Sequence, residues 1–387
     1  MNQNKQDFDE FHNNTLVVDS LFPTFLRPVG YSKEMESRAD ELMRKNIDLD
    51  EILEEMSDLF EEELYSGNSV FWDWWDQSGV DTIVTTVGDV EAVSASQAYR
   101  SAITQIAGWN KRFDSFSEIV KITSAEGIQE AREKNRNGVI LGLQNATSMN
   151  HDLGKLDVLY NLGVRVVQLT YNLRNSIGDG CTERTNAGLS EFGIKVIREM
   201  NEMGILIDLS HCGEQTTKEA IKLSDGPVAF THAFCRSVHD HDRGKSDSEI
   251  RLLAENDGYM GILILPDFIS DSKPTLDTYV DHIEHAVSIM GVDRVGIGTD
   301  YGTGAYTKEM QKCKRAQKRR EMQENGMSWD GWKIHHWHEE MPSIEGYNDW
   351  RDFPNLTRKL LERGFTKAQS RKILGQNFVR VFQDAVG

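Results

Sequence analysis

The chain has 387 residues, 43 of them Lys or Arg and 62 Asp or Glu, for a formal net charge of −19. So acidic a protein repels phosphate backbones and anionic lipid, which argues against nucleic acid or a membrane as partner and for a small-molecule substrate. Four cysteines without a CxxC pairing do not make a disulfide framework, and the polar N-terminus MNQNKQDFDEFHNN has no apolar core for a signal peptide, so a reduced, cytoplasmic protein is expected.

In chain order, TLVVD (15–19) predicts a first strand ending at Asp19. A helical excursion over 28–76 follows and ends in the aromatic cluster Phe71, Trp72, Trp74 and Trp75, which reads as core or lid packing rather than a substrate box. From about residue 79 the chain repeats an amphipathic stretch, a Gly- or Pro-bearing turn and a short apolar run that ends in polar residues, the rhythm of a parallel sheet. The runs are DTIVTT (81–86), GVILGL (138–143), VRVVQL (164–169), ILIDL (205–209), PVAFT (227–231), YMGILIL (259–265) and RVGIGT (294–299). With the first they number eight, enough to close a (β/α)8 TIM barrel. Between them SEFGIKVIREMNEMG predicts a helix, with Ser190 as its cap, apolar residues near helical spacing and Gly204 as its stop. Residues 303–352 interrupt the rhythm with the basic run KEMQKCKRAQKRREMQENG and then WKIHHWHEE. The basic run reads as a solvated face or a partner for acids of a neighbouring subunit, and its place after the last strand makes it a lid candidate. Barrels reach this length as one unit, so 1–387 is read as a single barrel domain carrying the excursion and the insertion.

In such a barrel the chemistry stands at the C-terminal strand ends. Those places hold Asp19, Thr86, Gln144, Tyr171 with Asn172, His211, His232, Pro266 and Asp300. Two imidazoles and a carboxylate on separate strands form an N/N/O set suited to zinc or a similar divalent ion, with Asp300 either a ligand or the base that takes a proton from water. A single histidine after a strand is more often a hydrogen-bonded neighbour than a ligand, so the joint placement of His211, His232 and Asp300 carries the reading. Asp19 is either a further metal ligand or a carboxylate that only orients its loop. In DGCTER (179–184), Cys181 and Glu183 are candidate replacement ligands beside the plainer reading of a turn-forming surface loop.

The runs GVRVVQLTYNLRNSIGDG, AGLSEFGIKVIREMNEMGILIDLSHCG, PVAFTHAFCRSVHDHDRGKSD, DRVGIGTDYG and PNLTRKLLERGFTKAQSRKILGQNFVRVF resemble the membrane (renal) dipeptidase family of metallopeptidases. The resemblance runs from about residue 80 to the end apart from 303–352, with DLSH, THxxxR, GTD and ILGxNF in the family's order. It implies a barrel of the metal-dependent hydrolase type, His211 and His232 as zinc ligands, Arg243 as a residue that meets the substrate or its carboxylate, and Asp300 as the acid/base aspartate. It also marks departures. The family's His-x-Asp pair after strand 1 is replaced by Asp19-Ser20-Leu21-Phe22-Pro23, its bridging glutamate by Gln144, and its substrate-side histidine by Tyr171.

One divalent ion, zinc by its donors, is therefore expected rather than two. The expected activity is hydrolysis of a dipeptide-like or other small amide, with Gln144, Tyr171, Asn172 and Arg243 lining the substrate's place. The alternative is a barrel that acts differently, or only binds a small carboxylate-bearing ligand. Relatives in the family often form dimers, so a homodimer is compatible with the resemblance.

Overall fold

The computed structural model describes residues 8, 10–22, 30–90, 92, 94–270, 273–301, 308–325 and 344–387. Its parallel strands are β1 (Val18–Asp19), β2 (Thr82–Thr86), β3 (Ile119–Ile122), β4 (Asn137–Leu143), β5 (Val164–Gln168), β6 (Leu206–Asp208), β7 (Ala229–Ala233), β8 (Tyr259–Ile262) and β9 (Val295–Ile297). They pair in the order β1-β2-β4-β5-β6-β7-β8-β9. The two ends of that path meet: Ser20 N donates to the Ile297 carbonyl at 3.0 Å and Asp300 N to the Leu21 carbonyl at 2.9 Å. The result is a (β/α)8 TIM barrel.

The remaining strand, β3, lies off this path. It pairs with β4 over Asn137 to Ile140, and β5 takes the same edge of β4 from Leu141 onward. Its sequence, IVKI, is interrupted by Lys121 and buried only at its ends, which is why no apolar run announced it.

Side chains alternate along the strands, so each strand serves two layers. Val84, Ile140, Val166, Leu206, Ala229 and Tyr259 join Phe378, Val381 and Phe382 of the C-terminal helix Asn377–Val386 in one apolar cluster. That helix crosses the N-terminal ends of the strands, where Arg380 donates to the Gly258 carbonyl and Gly387 accepts from Ala125 N. Their neighbours Ile83, Val139, Val167, Ile207, Phe230 and Met260 belong to the larger core packed under the surrounding helices. Two residues further along the inward face, the side chains turn polar: Thr86, Gln168, Asp208 and Thr231 are all buried. The closed apolar floor thus forces the polar chemistry toward the C-terminal end of the barrel.

Local signals explain the helices. The Ser190 hydroxyl caps Glu191–Met203 by accepting from Gly193 N, and Gly204 ends it with φ +71, a left-handed conformation that glycine adopts without cost. The excursion after β1 forms helices Lys33–Arg44, Leu49–Ser66 and Phe71–Ser78. In the last of these, Phe71 and Trp75 are buried, and Trp75 lies against Trp350, which in turn stacks on Phe22 with ring centres 4.2 Å apart. The cluster therefore packs the start of the barrel to the chain that returns after the insertion. Of that insertion, the basic helix Lys308–Asn325 packs against Lys33–Arg44 and Leu49–Ser66, both rich in Glu and Asp. WKIHHWHEE and the rest of 326–343 lie outside the described residues. Among the described residues no helix is long and apolar enough to cross a membrane.

Candidate metal centre

His211 follows β6 and His232 lies within β7, adjacent strands that bring the two imidazoles together with their Nε2 atoms 3.0 Å apart. Asp300, just past β9, completes the set. One ligand atom from each of His211, His232 and Asp300 lies within 4.8 Å of the others, and among the described residues this is the group of three such side chains able to hold a metal ion. Asp300 has φ +53, a left-handed conformation uncommon outside glycine and tolerated best by Asn and Asp. The turn holds its backbone against Leu21 while the carboxyl faces the barrel mouth.

The partners at Nδ1 favour the tautomer of each ring in which Nε2 is bare. His211 Nδ1 donates to Asn172 Oδ1 at 2.7 Å. His232 Nδ1 lies 2.7 Å from Thr231 Oγ1, whose own proton goes to Asp208 Oδ2 at 2.6 Å, so the ring donates there too. Burial pushes the pKa of both imidazoles well below the usual histidine value, with Arg243 nearby acting in the same direction, and both stay neutral. Two unprotonated Nε2 atoms at such close range, with a carboxylate beside them, are a donor set that a divalent cation fits. Burial pushes the Asp300 carboxyl up to about 7, the charge of Asp208 adds to this and Arg243 opposes it.

The other residues singled out by sequence occupy distinct places. The Gln144 side chain accepts from the Thr86 hydroxyl at 2.8 Å and turns its amide nitrogen to His232 Nε2 at 3.1 Å. Tyr171 stacks on His211, ring centres 4.2 Å apart. Asn172, besides holding His211, accepts through its carbonyl from Thr182 N. Asp19 stands apart from the three-residue group: its carboxylate accepts from Thr299 N at 2.8 Å and from the Thr299 hydroxyl at 2.6 Å, so it braces β1 against the end of β9. Arg243 is 1% exposed and donates to the carbonyls of Ser210 and His232, tying the ends of β6 and β7. Cys181 and Glu183 also lie outside the group. Cys181 Sγ is 3.5 Å from Asn172 Oδ1, and the Glu183 carboxylate accepts from the backbone N–H groups of Arg174 and Arg184.

Sequence reasoning missed Asp208 and Thr231, and placed Thr86 at a strand end without a role. The first two stand inside the DLSH and THxxxR strings, immediately beside the histidines that drew attention, and their inward-facing parity in β6 and β7 was the available signal.

A family model described as membrane dipeptidase (peptidase family M19) matches residues 69–322 and 326–386. An amidohydrolase from Pseudomonas aeruginosa is similar in structure over 98% of this chain and 99% of its own, with a TM-score of 0.75 and 28% identity. The probable dipeptidase PvdM from the same organism is similar over 98% of each chain, with a TM-score of 0.74 and 17% identity. A metallo peptidase from Rhodobacter sphaeroides, solved with a phosphinate mimic of the dipeptide L-Ala-D-Ala, is similar over 96% of this chain and all of its own, with a TM-score of 0.72 and 16% identity.

Proposed function

The chain belongs to the membrane dipeptidase family, which makes it a metal-dependent hydrolase of dipeptidase type, and we propose that it cleaves the amide bond of a dipeptide-like substrate with a single divalent ion, zinc by its donors. The observation that carries this reading is the convergence of His211, His232 and Asp300 within 4.8 Å. His211 and His232 would hold the ion through Nε2. When bound, it supplies Lewis-acid chemistry that polarises a carbonyl and acidifies water.

The protein's own groups do the rest. Asp300 takes the proton from the attacking water as the new carbon–oxygen bond forms, then delivers it to the amine nitrogen as the carbon–nitrogen bond breaks. Two of the five N–H donors of Arg243 are committed to backbone carbonyls, and the remainder are assigned to the substrate carboxylate. Gln144, Tyr171 and Asn172, grouped about the two histidines, are assigned to the substrate's surroundings. Two features favour one ion over two. Gln144 points an N–H group, not an anion, at His232, and the hydrogen bonds of Asp19 turn its carboxylate to Thr299. In this respect the chain is a divergent member of its family. The solved relative that carries a dipeptide mimic supports the substrate class.

Metal analysis of the purified protein together with a dipeptide panel tests this. About one zinc per chain, removed by chelator with loss of turnover, is expected. No bound metal and no turnover on any dipeptide would favour a barrel that only binds a small carboxylate-bearing ligand.

A further inference from the structure

Asp208 lies beneath the two histidines and is 2% exposed. Its Oδ1 accepts from Ser210 N at 2.9 Å, from Thr231 N at 3.1 Å and from the Ser210 hydroxyl. Its Oδ2 accepts from the Thr231 hydroxyl at 2.6 Å. A threonine hydroxyl has one proton, and here the carboxylate takes it, so Thr231 Oγ1 can only accept from His232 Nδ1, 2.7 Å away. Asp208 itself is 3.8 Å from that nitrogen and makes no direct hydrogen bond to it.

We propose that Asp208, acting through the Thr231 hydroxyl, locks His232 in its Nδ1–H tautomer and so keeps the Nε2 lone pair available to a cation. Asp208 and Thr231 are positioning residues, and the consequence for metal rests on the reading of His232 as a ligand. Gln144 approaches the same imidazole from the other side with an N–H group at 3.1 Å from Nε2, which agrees with a bare Nε2.

The geometry makes a prediction specific to a relay. In Asp208→Asn the two backbone N–H groups at Oδ1 still require an oxygen, so the new amide nitrogen takes the place of Oδ2. From there it donates to Thr231 Oγ1, the threonine proton turns toward His232 Nδ1, and the imidazole is driven to Nε2–H. A merely structural aspartate would produce no such reversal.

The test uses full-length apoprotein labelled with 15N-histidine, the His232 resonances being assigned with His232→Asn, alongside zinc affinity from competition with a fluorescent chelator. Wild type should show Nδ1–H at His232. Asp208→Asn should shift it toward Nε2–H and weaken zinc by about 10- to 100-fold, the usual effect of losing a ligand's hydrogen-bonded support. Thr231→Val, which keeps the carboxylate charge, should weaken zinc similarly, and Thr231→Ser should restore it. Retention of the Nδ1–H tautomer in folded Asp208→Asn, or wild-type zinc affinity in Thr231→Val with the wild-type tautomer, overturns the relay. A tautomer shift with zinc affinity unchanged upholds the relay and instead overturns the assignment of His232 as ligand. If Asp208→Asn does not fold, the Thr231 pair decides alone.

Discussion

The Thr86 hydroxyl donates to Gln144 Oε1 across 2.8 Å, and this bond decides which end of the amide His232 sees. With its oxygen engaged, Gln144 turns an N–H donor toward the imidazole, where an anion would instead attract a cation. Gln144→Glu replaces that donor with an acceptor of nearly the same shape. Zinc affinity, read by chelator competition, should rise by on the order of tenfold, equivalent to about 1.4 kcal/mol. Unchanged affinity would mean that Gln144 does not border the ion.

Asp300 is the carboxylate at the mouth, and burial has already pushed its pKa to about 7, near where a general base works best. Asp300→Asn keeps the size of the side chain and removes its basicity. Turnover on a cleaved dipeptide should fall by about 10²–10⁴-fold, while zinc content by elemental analysis stays near one per chain. Unchanged turnover would remove Asp300 from the mechanism.

The three groups of the centre were legible in sequence because each follows an apolar run, where a barrel places its chemistry: His211 after ILIDL, His232 after PVAFT and Asp300 after RVGIGT. What spacing could not show was the direction of individual hydrogen bonds. The role of Thr231 depends on where its single proton points, and that of Arg243 on two carbonyls that become neighbours only when β6 and β7 pair. From sequence Asp19 reads as a ligand or as a carboxylate that orients its loop, and the bonds that turn it to Thr299 come from barrel closure, a contact between the first strand and the last. β3 stayed hidden because Lys121 interrupts its apolar pattern.

Barrel closure also constrains Gly298, between β9 and Asp300. A Cβ there would stand 1.9 Å from the Thr231 carbonyl oxygen and 2.6 Å from Ser20 Oγ. Ser20 Oγ lies 2.6 Å from the Thr231 carbonyl and 2.8 Å from the Ile297 carbonyl at this crossing and shares its single proton between them, so neither neighbour can yield without loosening the seam. Gly298→Ala should destabilise the fold by about 1–3 kcal/mol, as overpacking does, and be seen as a lower thermal midpoint. An unchanged midpoint would show that the strands part easily here.

His282 offers a test of acid stability away from the metal centre. It is fully buried; its Nδ1 accepts from Cys235 N at 3.2 Å and its Nε2 lies 3.0 Å from the Ile269 carbonyl, so the neutral ring with Nε2–H satisfies both partners. Burial pushes its pKa down to about 4, against an ordinary value of 6.5. The folded state therefore binds this proton less readily than the unfolded one. Its contribution to stability is complete above pH 6.5, declines as the pH falls toward 4, and is lost below that. At about 1.36 kcal/mol for each pH unit crossed, the total reaches roughly 3 kcal/mol. His282→Gln can meet both backbone partners without titrating. Urea unfolding at pH 7 and at pH 4.5 should show the variant losing less stability on acidification than wild type, by about 2–3 kcal/mol. Equal losses in the two proteins would mean that His282 already takes up its proton in the folded state, against the burial that surrounds it.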